Sequence, residues 1–347
     1  MDLGITAVQR YETSHVIENV RLAEEVGFDF VGMGDSQSVF RELYTTMGVA
    51  ARETERILIG PTVTQPVTRH PVVTASGVCT VDEISDGRAF LGIATGDSSV
   101  YTLGERPARL AKIEETIQLF QALSRGEKYS YDGTNVELAW VREADTSHEI
   151  PVFLAAEGPK TLQLAGAVAE GVLIGTGLQP GVLRRSIDFV DEGAREAGRD
   201  PSEVTKWVFA KINIADSREA AIDEIRMALA ASANHAFRFT FENKDVPDEY
   251  RQPISVIREE YDPNEHEAVG ESANRALLER LERDHPGLTE YLADRFAAVG
   301  PPASCIDTLR DIESVKGIDG VLLANLVEDD RELIAKVGEE VLPTFES

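Results

Sequence analysis

Cysteine is nearly absent from the chain. Cys79 and Cys305 are too few and too isolated for a disulfide framework or a CxxC metal site, and both read as small buried hydrophobes. The six histidines are scattered without an HExxH or other paired spacing, so no catalytic metal is expected. No apolar run approaches the roughly 18 to 20 residues that span a bilayer. The start, MDLGITAVQRYE, lacks a positive region followed by an apolar one, so no signal peptide is read and a cytoplasmic protein is expected. Lysine is scarce: eight stand beside 26 arginines, while Asp and Glu total 61 and the formal net charge is -27. That balance argues against nucleic acid and anionic membranes as partners, because both are repelled at low salt. A lysine-poor acidic composition fits a salt-rich cytoplasm, hence a halophilic source, and equally a GC-rich genome that converts Lys to Arg.

What the chain does hold is a large apolar fraction, 42% of 347 residues, enough for one big core. Eight short apolar runs recur, at residues 3–8, 28–33, 57–63, 89–94, 151–156, 171–175, 207–214 and 320–326. They do not alternate with polar residues, which predicts strands buried on both faces and therefore parallel. Helical patterns lie between nearly all of them: Val16, Val20, Ala23 and Val26 share one face before Gly27, and Ile113, Ile117 and Phe120 repeat within residues 109–123. Pro159 suits the first position of a helix running through Gly166. Ser304 to Asp307 has the form of a capping box, with Ile306, Leu309 and Ile312 as a stripe ending at Gly317. Eight such units fit a (β/α)8 TIM barrel, α/β in class, better than an open sheet.

Two stretches exceed a bare barrel. Residues 125–150 hold RGEKYSYDGTNVEL, whose Asp132-Gly133 turn predicts a small hairpin. Residues 216–300 are charged and read as largely helical, from 218 to 233 and again from 273 to 292. The expectation is a single barrel domain over residues 1–347 with a hairpin insertion near 125–150 and a helical insertion near 216–300, on strand ends where barrel enzymes place lids and oligomer contacts.

The segment GPTVTQPVTRHPVVTASGVCTVDEISDGRAFLGIATGD, residues 60–97, resembles the coenzyme F420-dependent methylene-tetrahydromethanopterin reductases, within the luciferase-like superfamily of flavin and deazaflavin oxidoreductases. The likeness extends through RGEKYSYDG, IPVFLAAEGPKTLQLAGAVAEGVLIGTG and VGPPASCIDTLRDI, and is weak in residues 216–300.

The resemblance implies a site at the strand ends. After strand three it implies a non-prolyl cis peptide at Thr62-Val63, whose bulge backs the coenzyme ring with Thr64 beside it; a trans strand end turned by Thr64 is the alternative. Asp35 follows strand two, where the family sets a polar group at the ring edge, and a helix N-cap is its other reading. Many relatives carry His directly after this Asp; here the residue is Ser36. Gly96 and Asp97 follow strand four, the glycine letting the ring approach and the aspartate bonding a ring or pterin nitrogen, unless they form only a turn and a cap. Gly175, Thr176 and Gly177 suit an anionic tail, with Ala156, Glu157 and Gly158 as lesser candidates for the same wall. Gln9 and Glu12 follow strand one and are candidates for substrate contact, while Arg69 and His70 read as helix entry before Pro71.

The expected activity is hydride transfer between reduced coenzyme F420 and a methylene-tetrahydropterin of methanopterin or folate type, with Asp35 and Asp97 as the catalytic carboxylates. The alternatives are an FMN-dependent luciferase-like monooxygenase and a non-catalytic coenzyme-binding subunit. The resemblance also implies a homodimer or homotetramer packed through barrel helices.

Overall fold

The computed structural model describes residues 1–143, 149–266 and 270–345. Its eight barrel strands are β1 (Asp2–Thr6), β2 (Phe30–Met33), β3 (Leu58–Pro61), β4 (Leu91–Ile93), β5 (Val152–Ala156), β6 (Gly171–Ile174), β7 (Thr205–Ile214) and β8 (Gly320–Asn325). Each strand but the last is followed by at least one helix before the next strand begins, and β8 is followed by Asp330–Glu340. Parallel ladders join neighbours from β4 through β8, then β8 to β1, β1 to β2 and β2 to β3. Two isolated parallel bridges, Ile59 to Ala89 and Thr64 to Ile93, bring β3 against β4, so the sheet is a nearly closed eight-stranded barrel. Between those bridges the β3 side advances five residues, 59 to 64, and the β4 side four, 89 to 93. One extra residue makes a bulge on β3.

The lower barrel is filled by an aromatic plug of Phe30, Phe90, Phe153, Leu173, Trp207 and Leu322. Trp207 stacks between Phe30 at 3.8 Å and Phe153 at 4.0 Å, and Phe90 meets it edge-on at 5.6 Å. Such payloads fit because neighbouring strands offer no side chain there: a Cβ on Gly4 would lie 2.2 Å from the Phe30 ring, and one on Gly171 would lie 2.4 Å from the Phe153 ring. Val63, Ala155 and Phe209 rest on the plug and face the opposite way into a cavity. The plug is that cavity's floor.

Several local expectations hold. Gly27 ends helix Thr13–Val26 in the left-handed conformation, Pro159 opens helix Pro159–Val168, and His70 caps helix Pro71–Ser85 by accepting from Val72 N at 3.2 Å. The hairpin forms between Tyr129–Tyr131 and Thr134–Val136, with Asp132 (φ 49°) and Gly133 (φ 76°) at its tip; its expected extent includes residues 144–148, which lie outside those described.

Others need correction. The helix expected over 218–233 is two, Arg218–Glu224 and Arg226–Phe237, parted at Ile225 (φ -94°, ψ 14°), and the second runs four residues further than expected. The helix expected over 273–292 is also two, Ala273–Asp284 and Leu288–Phe296, because Pro286 cannot continue a helix and Gly287 takes φ 92°. Helix Asp248–Glu260 lies between these pairs, and strand Ala297–Gly300 then pairs with residues 211–214 of β7. The capping box at Ser304 does not form: helix Pro302–Glu313 starts three residues earlier, with Pro301 rather than Ser304 at its N-cap, and Ser304 N bonds Pro301 O at 2.9 Å. That helix also ends before Gly317, which turns the chain at φ 96°. No helix among the described residues is long and apolar enough to cross a membrane.

Candidate functional site

The C-terminal strand ends, the loops above them and the helical insertion enclose a cavity of ≈ 1280 Å³. Its position at that face of a (β/α)8 barrel is where side chains from separate strands converge. Parallel strands all point their C-terminal ends the same way, so one residue per loop suffices to build a common wall.

The β2 and β3 loops form one braced corner. Asp35, buried, accepts from Arg69 Nη2 at 2.9 Å and from Thr64 Oγ1 at 2.7 Å, and Arg69 also pairs with Glu42 at 2.9 Å. Asp35 is therefore not a helix cap, and Arg69 does more than enter a helix. The Thr62-Val63 peptide bond is cis, and Thr62, Val63 and Thr64 all line the cavity. Ser36 accepts from Ser98 Oγ at 3.0 Å, and Gln37 Nε2 donates to Ser99 O at 2.8 Å, which fastens the β2 loop to the short helix Ser98–Tyr101 after β4.

Gln9 reaches the cavity, but its amide is spent on backbone: Nε2 donates to Gly34 O at 2.9 Å and Oε1 accepts from Gly34 N at 3.1 Å. It holds the end of β2. Glu12 is exposed at the start of helix Thr13–Val26 and lies outside the cavity wall. After β5, Ala156, Glu157 and Gly158 all line the cavity; after β6 only Gly175 does. Thr176 turns its hydroxyl to Ser186 Oγ at 2.8 Å, and Gly177 (φ 132°) is packed where a Cβ would lie 2.3 Å from Arg295 Nε. The expected anion cradle at 175–177 is thus a packing joint, since Arg295 needs that space to donate to Thr176 O at 2.9 Å.

Gly96 and Asp97 line the cavity, Gly96 at φ 102°. Asp97 meets three groups that the sequence did not single out. Its Oδ2 pairs with His235 Nε2, its Oδ1 accepts from Arg238 Nη1 at 2.5 Å, and His266 Nδ1 lies 3.8 Å away. Burial alone would raise the Asp97 pKa, but His235, His266 and Arg238 together hold it far below the usual carboxylate range. These neighbours favour the Asp97 anion, so the carboxylate is placed to hold charge and accept hydrogen bonds. The donor atoms of Asp97, His235 and His266 lie within 4.8 Å of one another, close enough to hold a cation. Arg238 already occupies one edge of the carboxylate and sets positive charge beside it, which disfavours a metal there.

His235 and Arg238 stand three residues apart at the end of an Ala-rich helix, on one face. That i, i+3 spacing is the local signal that could have pointed to them; their meeting with Asp97, 138 and 141 residues away, leaves no local signal. Lys244 also faces the cavity, buried, between two non-glycine residues of positive φ, Asn243 and Asp245, and its ammonium donates to Ala236 O. Burial pushes its pKa down to about 8, with Glu157 opposing. Counting the wall, six Lys or Arg side chains face the cavity against four Asp or Glu, the reverse of the chain's net charge of -27. Such a wall suits an anionic ligand.

Comparison with known proteins agrees with this architecture. The chain is 28% identical over 347 residues to the 5,10-methylenetetrahydromethanopterin reductase of Methanolobus tindarius, covering 99% of this chain and 100% of that one. It is 28% identical over 268 residues to the F420-dependent glucose-6-phosphate dehydrogenase of Microbacterium testaceum, covering 71% and 79%. The solved structure of the coenzyme F420-dependent tetrahydromethanopterin reductase of Methanopyrus kandleri superposes with a TM-score of 0.76 at 22% identity, over 99% of both chains. Residues 5–317 match the sequence model of the luciferase-like monooxygenases, and the chain belongs to that family.

Proposed function

We propose that this protein is an oxidoreductase that binds coenzyme F420 and transfers a hydride between its reduced form and a methylene-tetrahydropterin one-carbon carrier, of methanopterin or folate type. The observation that carries the reading is one cavity at the barrel's C-terminal face, in a chain similar along its full length to a methylenetetrahydromethanopterin reductase. Its ≈ 1280 Å³ exceeds the roughly 300 to 1,000 Å³ of common single-ligand pockets, as a site for coenzyme and carrier together requires.

The residues present fit a deazaflavin. The β3 bulge with Thr62, Val63 and Thr64 would offer a firm backing for a flat ring over the aromatic plug, and Gly96, at φ 102° with Val100 packed where its Cβ would go, lines the adjacent wall. An anionic tail would meet Gly158, where a Cβ would contact nothing within 4 Å, at the N-terminus of helix Pro159–Val168, beside Lys160. When bound, the coenzyme supplies the hydride chemistry; the chain supplies orientation, exclusion of water and fixed charge. Asp35, Arg69 and Thr64 brace the β2 and β3 loops that would hold the coenzyme, and Asp97 supplies fixed charge at the β4 wall.

The test is titration of the purified protein with F420 followed by fluorescence quenching, then oxidation of the reduced coenzyme with methylene-tetrahydromethanopterin and methylene-tetrahydrofolate in parallel. Saturable quenching and turnover with one carrier are expected. Absence of saturable quenching overturns the proposal, and turnover that consumes oxygen with FMN selects the monooxygenase reading instead.

A further inference from the structure

Among the described residues, the imidazoles that line the cavity, His235 and His266, both come from the helical insertion and none from the barrel loops. At the β2 corner Asp35 is tied to Arg69 and Thr64, and Ser36 to Ser98. On the β4 side, His235 lines the cavity with its side chain 27% exposed, and its Nε2 is committed to the Asp97 carboxylate. A carboxylate on one ring nitrogen fixes the tautomer and orientation of the ring and stabilises its cation, leaving Nδ1 to exchange a proton with a bound molecule.

We propose that His235 is the proton-handling residue of this cavity, with Asp97 as its positioning residue, acting on a substrate whose reduction requires protonation of a leaving nitrogen. The assignment rests on the functional reading above. In that reaction a hydride from the reduced deazaflavin forms the new C–H bond at the methylene carbon. The bond from that carbon to its second nitrogen breaks, the electron pair stays on the nitrogen, and the nitrogen takes a proton from the His235 imidazolium. Both electrons come from the coenzyme, whose oxidation also releases one proton, and His235 regains one from solvent. The sum is methylene carrier plus reduced coenzyme giving methyl carrier plus oxidised coenzyme.

The surroundings favour the charged ring. Burial pulls the His235 pKa down, but the Asp97 charge and hydrogen bond outweigh it and leave it above the ordinary value of 6.5. Glu157, from the β5 end, adds to the rise, and Arg238, three residues along, opposes it. His266 stacks on His235 with ring centroids 5.1 Å apart, and its Nδ1 bonds Tyr261 Oη at 2.6 Å. Tyr101, from the short helix after β4, faces the Arg238 guanidinium at 5.4 Å. Asp97 thus has two imidazoles and one guanidinium around it, and His235 is the imidazole whose Nε2 bonds it directly, while His266 Nδ1 stands 3.8 Å off.

The test compares the full-length protein with His235→Asn, His235→Gln and Asp97→Asn by three measurements: F420 binding by fluorescence, kcat against pH with the carrier that turns over, and NMR titration of the His235 ring in the ligand-free protein. The expected wild-type ring titrates above 6.5 and falls in Asp97→Asn. His235→Asn and His235→Gln are expected to lose on the order of 100-fold in kcat, the low end for a general acid, with F420 affinity retained within about threefold. The basic limb of the wild-type profile should move to lower pH in Asp97→Asn and vanish in the His235 variants. Coenzyme binding together with a near-wild-type kcat and an unchanged basic limb in both His235 variants overturns this assignment alone. A wild-type protein that does not bind F420 overturns the functional reading and this assignment with it. A wild-type ring that titrates at or below 6.5 and does not respond to Asp97→Asn overturns the positioning role.

Discussion

Arg69 joins the β2 corner to the start of helix Pro71–Ser85, with its guanidinium between Asp35 and Glu42 and 5.0 Å from the Tyr44 ring. Arg69→Met would leave the Asp35 carboxylate buried without its counter-charge. Breaking one partner of such a pair costs about 3 to 5 kcal/mol, and a fall of that size in the denaturation free energy is the expected result. Lys244 makes a prediction of opposite character. An unfolded lysine titrates near 10.5 and this one at about 8 in the fold, so between those values the unfolded chain binds the extra proton and stability rises with pH. Melting curves taken from pH 7 to 10.5 should show that rise in the wild type and a flatter profile in Lys244→Met. Neither partnership was visible along the sequence. Arg69 read as helix entry because Pro71 follows two residues later, and its guanidinium reaches back 34 residues to Asp35.

Among the elements, the insertion depends on a carboxylate that caps one helix from another. Glu282, in helix Ala273–Asp284, accepts from Gly287 N at 2.8 Å and Thr289 N at 2.7 Å, at the start of helix Leu288–Phe296. Burial would raise its pKa, but these backbone donors win and lower it. Its stabilisation is therefore complete above the unfolded value of 4.5 and is lost as pH falls through the lowered folded value. Glu282→Ala should cost about 1 kcal/mol and speed hydrogen exchange at Gly287 and Thr289. Glu282→Gln should erase the acid-side dependence. Helix Leu288–Phe296 matters beyond itself, because its Arg295 fills the space beside Gly177. Periodicity read the two helices over 273–292 as one, although Pro286-Gly287 marks the break between them: the apolar stripe persists across the turn because both helices pack on the same core.

For the molecule as a whole, the net charge of -27 sets self-repulsion against the packing of the core. Salt screens exposed charges, with a Debye length of about 10 Å at 0.1 M and 3 Å at 1 M. The melting temperature should accordingly rise from low salt to molar KCl, and the rise should shrink in a variant with several exposed Glu changed to Gln. The same surplus makes the cavity's basic lining an exception that draws anions inward.

Eight unalternated apolar runs with helices between them determined the barrel, since strands buried on both faces and joined by crossovers leave few other solutions. The residues themselves also placed the Asp132-Gly133 hairpin, and the family resemblance placed the Thr62-Val63 bulge and most of the strand-end residues that line the cavity. Tertiary structure decided what those residues do. Asp35 became the centre of a brace, Thr176 and Gly177 became packing, and Asp97 acquired His235, Arg238 and His266 from an insertion more than 130 residues away. Periodicity reports which face of an element is buried, whereas the partner of a charge is set by where distant loops meet.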